Sequence, residues 1–311
     1  MWDQKRYHSL DYELKKLFGR KIYKLSLNGG MTCPNRDGSL DTRGCIFCSE
    51  GGSGDFATGL RSDITKQIEE AKLQVAAKLT DPDNAGYIAY FQAYTNTYAP
   101  VEYLRSIFTE AIHHPDIVVL SIATRPDCIN EEVLALLIEL NQIKPVWIEL
   151  GLQTKHERTA IYIRRGYSLP VFEQCVKSLS QSGIPVIVHT ILGLPKESKH
   201  DMLETMEYIS TLPVQGIKLQ LLHILRGTDL GHSYEESSLE VLTLDDYVDI
   251  VISCIERLPE DLVIHRITGD GPKNLLLAPL WSGNKKLVLN RIHSQMKERD
   301  TYQGKLYNIP I

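Results

Sequence analysis

Seven short, apolar, β-rich runs punctuate the chain, at residues 22–27, 87–91, 117–122, 146–150, 186–192, 217–222 and 262–267. Between most of them the apolar positions switch to a helical spacing. Residues 101–112 place Leu104, Ile107, Phe108 and Ile112 on one face, the i, i+3, i+4 pattern of an amphipathic helix. Similar stretches run over 131–140, 171–179, 202–209 and 244–255. Near-continuous apolar strands imply burial on both faces, hence parallel strands covered by helices. About six strand–helix units suit a closed or partly open barrel better than a flat doubly wound sheet, a choice that periodicity alone does not make. The expected fold is α/β, a parallel partial TIM-type (βα)6 barrel with N- and C-terminal extensions.

No linker, low-complexity tract or repeat divides the chain. A polar, aromatic and partly helical N-terminal extension is expected at residues 1–20, the barrel at 21–281, and a basic C-terminal extension at 282–311. The last carries Lys285, Lys286, Arg291, Lys297 and Arg299.

Composition changes this picture little. The 311 residues are 43% hydrophobic and 23% charged, ordinary values for a globular protein. A net charge of -5 does not advertise nucleic-acid binding, although a local basic face suffices for it. No apolar run reaches the roughly 18–20 residues of a membrane helix, and the N-terminus has no apolar signal region. The expected location is cytoplasmic, without membrane association.

The cysteines carry the chemistry. Cys175 and Cys254 sit in apolar helical patterns and read as small core hydrophobes; Cys128 follows Arg-Pro-Asp at a strand end and reads the same way with less force. Cys33, Cys45 and Cys48 differ. They lie just after the first strand, the last two spaced as C-x-x-C, with Gly51, Gly52 and Gly54 following. In a reducing compartment such thiols are metal ligands before they are disulfide partners. A structural zinc site wants four ligands, and no fourth lies nearby. A zinc knuckle completed by a distant histidine is the alternative. An iron–sulfur cluster held by three thiolates would leave one iron free for a substrate or cofactor, and Phe47 would shield it from water.

Three cysteines after the first strand, with an aromatic residue directly before the third, resemble the radical S-adenosylmethionine (SAM) enzymes. The usual C-x-x-x-C-x-x-C spacing is lengthened to eleven residues between Cys33 and Cys45, which is similar to the subgroup near the elongator catalytic subunit. Tyr-Phe-Gln-Ala-Tyr-Thr-Asn-Thr-Tyr at 90–98, Trp-Ile-Glu-Leu-Gly-Leu-Gln-Thr at 147–154 and His-Thr-Ile-Leu-Gly-Leu-Pro at 189–195 resemble the bacterial YhcC/YtqA branch (MnmL-like). The resemblance implies a [4Fe-4S] cluster and S-adenosyl-L-methionine as cofactors. It implies further that SAM chelates the open iron and is cleaved reductively to a 5′-deoxyadenosyl radical, with an electron donor such as flavodoxin or ferredoxin.

The other strand ends supply candidate contacts. Gln92, Thr95 and Asn96 follow the second strand, where many relatives carry Gly-Gly-Glu against the methionine amino group; a polar turn is the alternative for Asn96. Thr124, Arg125 and Asp127 follow the third, and an arginine there can clamp a carboxylate bidentately or form a surface salt bridge. Glu149 lies within an apolar strand, where a carboxylate must be paired, and a cofactor contact is the expectation. Gln153 and Thr154 lie just beyond. Gly193 permits close backbone approach and Pro195 fixes the following turn. Candidate substrate contacts are Arg164, Arg165, His189, Lys218, Gln220, His223 and Arg266, with His265 beside the last. Arg164 and Arg165 also fit a solvated face, and His189 a satisfied core histidine.

The branch resemblance implies action on tRNA, converting 5-carboxymethylaminomethyl-(2-thio)uridine at the wobble position to 5-aminomethyl-(2-thio)uridine, with the C-terminal basic residues on phosphates. A radical enzyme acting on a small metabolite or peptide, and a non-catalytic metal-binding regulator, are the competing readings.

Overall fold

A computed structural model describes residues 2–309 and 311, apart from 53, 55, 56, 58, 60–62, 80, 82, 83, 237, 238 and 270. Its centre is a parallel sheet of seven strands: β1 (Ile22–Leu27), β2 (Gly86–Phe91), β3 (Ile117–Thr124), β4 (Val146–Gln153), β5 (Val186–Leu192), β6 (Gly216–Leu221) and β8 (Val263–Arg266). They are ordered as they occur in the chain, and β1 and β8 remain the two edges. A short antiparallel pair, β7 (Ile224–Leu225) with β9 (Leu276–Ala278), sits apart. The sheet curls into a partial TIM barrel: six strand–helix units plus a seventh strand.

Helices α2 (Ile64–Val75), α3 (Val101–His113), α4 (Glu131–Asn141), α6 (Leu169–Gln181), α7 (Lys199–Ser210) and α9 (Leu244–Arg257) cover the outer face. Two short helices, α5 (Glu157–Tyr162) and α8 (Asp229–Glu236), follow β4 and β7, and Leu230 of α8 packs in a separate cluster with Ile46 and Ile163. Of these helices, α2, α5 and α8 were not expected from the apolar spacing. Several start on side-chain caps that satisfy otherwise orphaned amides. Asn130 opens α4 and Thr243 opens α9, while Ser198 and Asp201 form a reciprocal capping box on α7.

Alternation along each strand sends one set of side chains outward and the other inward. Outward residues such as Leu25, Ala89, Leu120, Ile148 and Val188 join the helices in the main core. Inward residues Ile22, Ile88, Val119, Trp147 and Ile187 form a second apolar cluster inside the curl, together with Leu14 of α1 (Leu10–Phe18). This layer floors the barrel and confines the polar inner positions to the levels above it.

The terminal extensions knit together under the last strand. Ser9 bridges Ile264 in parallel register, and the Ile264 amide donates to the His8 carbonyl at 2.7 Å. Gln303, fully buried, accepts from the His8 amide at 2.8 Å and donates to the carbonyls of Pro259 and Leu262. The basic character of the C-terminal extension is partly neutralised. On α10 (Lys285–Glu298) Arg291 pairs with Asp245, and Arg299 just beyond pairs with Asp249. No helix among the described residues is long and apolar enough to cross a membrane.

Candidate active site

The eleven residues between Cys33 and Cys45 form a closed excursion. Leu40 and Asp41 amides return to the Pro34 carbonyl, and the Gly44 amide reaches the Asn35 carbonyl at 2.7 Å. The inserted residues therefore leave and rejoin at one point, bringing the two cysteines back to the same place. Arg36 staples the far side, donating to the carbonyls of Cys48 and Ser49 at 2.8 and 2.7 Å. Gly44 has φ +77, and a Cβ there would lie 2.9 Å from the Arg36 side chain, so glycine is required at the rejoining point. Asn35, buried, donates through Nδ2 to the Arg164 carbonyl at 2.7 Å and lies 3.5 Å from the Cys45 sulfur. Ile46, between the last two cysteines, bonds to Ile163 after α5 and to Leu230 in α8. The loop is thus tied to elements from the other half of the chain.

Burial pushes the Cys45 thiol up to about 12, with Cys48 adding to the rise and the Asn35 hydrogen bond opposing it. Arg36 and Arg125 lie close enough to Cys48 and Cys33 to interact with them. Three thiols on one rigid loop, flanked by guanidinium groups, suit a cluster that is anionic through its thiolates.

Strand ends β2 to β4 border this loop. Thr95 donates its amide to the Thr32 carbonyl. Asn96 is fully buried; its amide and Nδ2 both donate to the Ala123 carbonyl, at 3.2 and 2.8 Å, and its Oδ1 has no partner among the described residues. The buried Oε1 of Gln153, a residue with φ +65 after an irregularity in β4, also lacks one among those residues. A buried acceptor without a donor is costly. Two such acceptors beside the cysteine loop fit a ligand bearing an ammonium group, as SAM does. Gln92 lies beside them at the β2 end, its amide on the Leu27 carbonyl.

Several expected ligand contacts are occupied by the protein itself. The Arg125 guanidinium grips Asp127 bidentately at 3.0 and 2.7 Å, donates to the Arg165 carbonyl and covers the Tyr167 ring. Arg165 is spent on the carbonyls of Leu152, Thr154 and Tyr167. It holds the loop after β4 rather than facing a substrate. Thr124 is hydrogen-bonded to Thr97, which itself donates to the Cys128 carbonyl. Arg164 pairs with Asp229. Gly193 has φ +85 and packs against Leu242, with Pro195 in the next turn. His223 lies under Gly269 and Gly271.

Glu149 sits deeper, fully buried on the inner face. Its Oε1 accepts from Lys24 at 2.9 Å and Ser121 at 2.8 Å; its Oε2 accepts from His189 at 2.6 Å and from Lys218. Both oxygens are saturated, so its contacts are barrel-internal rather than to a cofactor. Tyr90 lies beneath the two lysines, 4.2 and 4.5 Å from its ring centre. Burial would raise the Glu149 pKa, but Lys218, Lys24 and the His189 hydrogen bond outweigh it and hold the carboxyl well below its usual range. Burial, aided by Lys218, lowers the His189 pKa to about 4. The ring is then neutral, with Nε2–H donating to Glu149 and Nδ1 facing Gln220 Nε2 at 3.4 Å. Lys24 escaped the sequence reading, although a lysine at an inward position of an apolar strand was a usable signal. Asn35, Arg36 and Ser121 carried no comparable mark.

A model of the radical SAM superfamily matches residues 42–209, and one of the radical SAM C-terminal domain matches 214–298. The chain belongs to the radical SAM superfamily: it is an enzyme whose cofactors are a [4Fe-4S] cluster and SAM. It is 47% identical to the protein YtqA of Bacillus subtilis over 98% of this chain and 94% of that one. With the protein YhcC of Escherichia coli it shares 38% over 91% of this chain and 89% of the other. The fold superposes on the Elp3 structure of Methanocaldococcus infernus with a TM-score of 0.67 at 16% identity, covering 91% of this chain and 64% of that one. The superfamily match begins after Cys33, so the first thiol joins the set through the geometry of the loop.

Three outcomes follow. Replacing any of Cys33, Cys45 or Cys48 by alanine should abolish most iron uptake on anaerobic reconstitution, whereas Cys175→Ala should retain it; iron per protomer reads this directly. Glu149→Gln leaves the buried Lys218 and the partly buried Lys24 without a counter-charge and should cost about 3–5 kcal/mol in denaturant unfolding. His189 titrates near 6.5 when unfolded and near 4 when folded, so between those values the unfolded chain binds the extra proton. Stability should therefore fall as pH drops from about 6.5 to 4. His265, likewise held neutral by burial, acts in the same direction, and His189→Gln should make the melting-temperature profile shallower without flattening it.

Proposed function

We propose that this radical SAM enzyme acts on tRNA, converting the wobble 5-carboxymethylaminomethyl-(2-thio)uridine to 5-aminomethyl-(2-thio)uridine. The observation that carries the reading is the open mouth of the partial barrel. α1 and the Ser9–Ile264 bridge fill the seam between β1 and β8, so a base carried on a macromolecule enters at the strand C-terminal ends, where the cysteine loop and the half-buried Arg266 lie. A relative supports the substrate class. The tRNA uridine(34) acetyltransferase of Methanocaldococcus infernus is 22% identical over 54% of this chain and 31% of its own length.

When bound, the cluster and SAM supply a 5′-deoxyadenosyl radical that removes hydrogen. The chain's own residues do the rest. Cys33, Cys45 and Cys48 would hold the cluster, with Arg36 and Asn35 fixing the loop. Asn96 Oδ1 and Gln153 Oε1 would accept from the SAM ammonium group. Gln92, Gly193 and Pro195 lie at neighbouring strand ends and would border the cofactor. A flavodoxin or ferredoxin, the proposed electron donor, would supply the electron that SAM cleavage consumes. The substrate carbon between nitrogen and carboxylate loses a hydrogen atom to the radical, then a proton from nitrogen and an electron, which goes back to that carrier. Water splits the resulting imine into the amine and glyoxylate.

A small metabolite or peptide is the second reading. The net charge of -5 and the pairing of Arg291 and Arg299 with aspartates favour it. Nucleoside mass spectrometry of tRNA from strains with and without the gene separates the two. Loss of the 5-aminomethyl forms and accumulation of the 5-carboxymethylaminomethyl forms is expected; an unchanged profile refutes the tRNA reading.

A further inference from the structure

The polar layer inside the barrel is electrically unbalanced. Its acidic group is Glu149, and three cationic side chains belong to it: Lys24, Lys218 and Arg266. The two lysines share the Glu149 carboxylate, and every lone-pair direction of that carboxylate is already taken by Lys24, Ser121, His189 and Lys218. Arg266 is left over. Among the described residues no hydrogen bond or ion pair engages its guanidinium.

Its inward direction comes from a break in the sheet register. Ile217 pairs with Ile264, but the next residue, Lys218, pairs with Arg266, so His265 is skipped. A bulge of this kind re-aims side chains beside functional sites. Neighbours across a parallel ladder share a face, so Arg266 points the same way as Lys218, into the barrel. Its charge acts on Tyr90, His189 and Lys218. His265 is turned inward as well, its ring 5.5 Å from Trp147 and against Gly216. Lys218 is 2% exposed, whereas Arg266 is only half-buried; the guanidinium therefore stands at the wet end of the layer. Gln220 is two residues beyond Lys218 on the same inner face, its Nε2 using one proton on His189 and retaining a second.

An unpaired guanidinium beside two lysines lacks the compensation that partly buried charge requires, and its planar fork matches a carboxylate. We propose that Arg266, with Gln220 beside it, binds a carboxylate of the substrate at the β6–β8 side of the barrel mouth. The inference rests on the tRNA reading, in which the wobble side chain ends in a carboxylate. The cysteine loop follows β1, at the opposite side of the mouth. Anchoring the carboxylate on β8 turns the adjacent methylene toward the barrel centre, which selects the carbon that loses hydrogen and rejects a side chain already shortened to the amine.

The test uses the reconstituted holoenzyme with SAM and anticodon stem-loops bearing either the wobble 5-carboxymethylaminomethyluridine or its uncharged carboxamide. Wild type should prefer the carboxylate stem-loop by about ten-fold or more. Arg266→Gln should reduce that ratio to near one while leaving SAM affinity and melting temperature unchanged, and Arg266→Lys should restore part of it. Equal binding of the two stem-loops by wild type, or a preference that survives Arg266→Gln, overturns the carboxylate site and leaves the tRNA reading standing. A parallel loss of SAM affinity in Arg266→Gln overturns it too, because the guanidinium would then serve the cofactor's carboxylate. Binding of neither stem-loop refutes both.

Discussion

A single buried carboxylate sets the shape of this protein. Glu149 stands on the central strand of the sheet and is held by donors from β1, β3, β5 and β6. A parallel sheet with helices on one face has no intrinsic reason to curl to a given radius. Four strands converging on one group impose that radius, because lengthening any of these contacts exposes an unpaired charge in an apolar surround. The half-barrel is thereby fixed from inside, and the strand ends that border the site inherit their spacing from it.

Above that layer the protein treats its loops as rigid parts. The cysteine excursion is closed by backbone bonds, pinned by Arg36 and docked through Asn35 and Ile46 onto segments more than a hundred residues later. Arg125 and Arg165 fasten the loops after β3 and β4 to each other across the Tyr167 ring. Two buried acceptors, on Asn96 and Gln153 after β2 and at the end of β4, have no donor among the described residues. Preorganised loops with selected unmet valences are what a cofactor-binding surface needs, since ordering after binding would consume affinity.

The strand pattern and the cysteine spacing were legible in the chain because each is a local signal: apolar runs bounded by turns, and thiols close in sequence. The seven parallel strands and the partial barrel followed from the first. Convergence was not legible. Nothing near Lys24 or Lys218 in sequence says that both meet Glu149, residues 125 and 69 positions away. For Arg125 the sequence left a ligand clamp and a salt bridge both open; the structure shows the salt bridge, to Asp127 two positions on, and adjacency in sequence did not disclose its bidentate geometry. Arg266 faces inward only because the β6–β8 register slips by one residue, and a slip leaves no mark in an apolar alternation.

The pairing of Ser9 with Ile264 and of His8 with Gln303 has a consequence for how the chain is made. Synthesis proceeds from the N-terminus, and domains form as their segments emerge. Here a segment made early is a component of the edge of a strand made much later. Residues 8 and 9 stay unpaired until β8 and Gln303 have appeared, and contacts of such high sequence separation form slowly. The segment that plugs the seam beside β8 is therefore also a late seal: that edge of β8 stays open to other chains until residues 8 and 9 reach it.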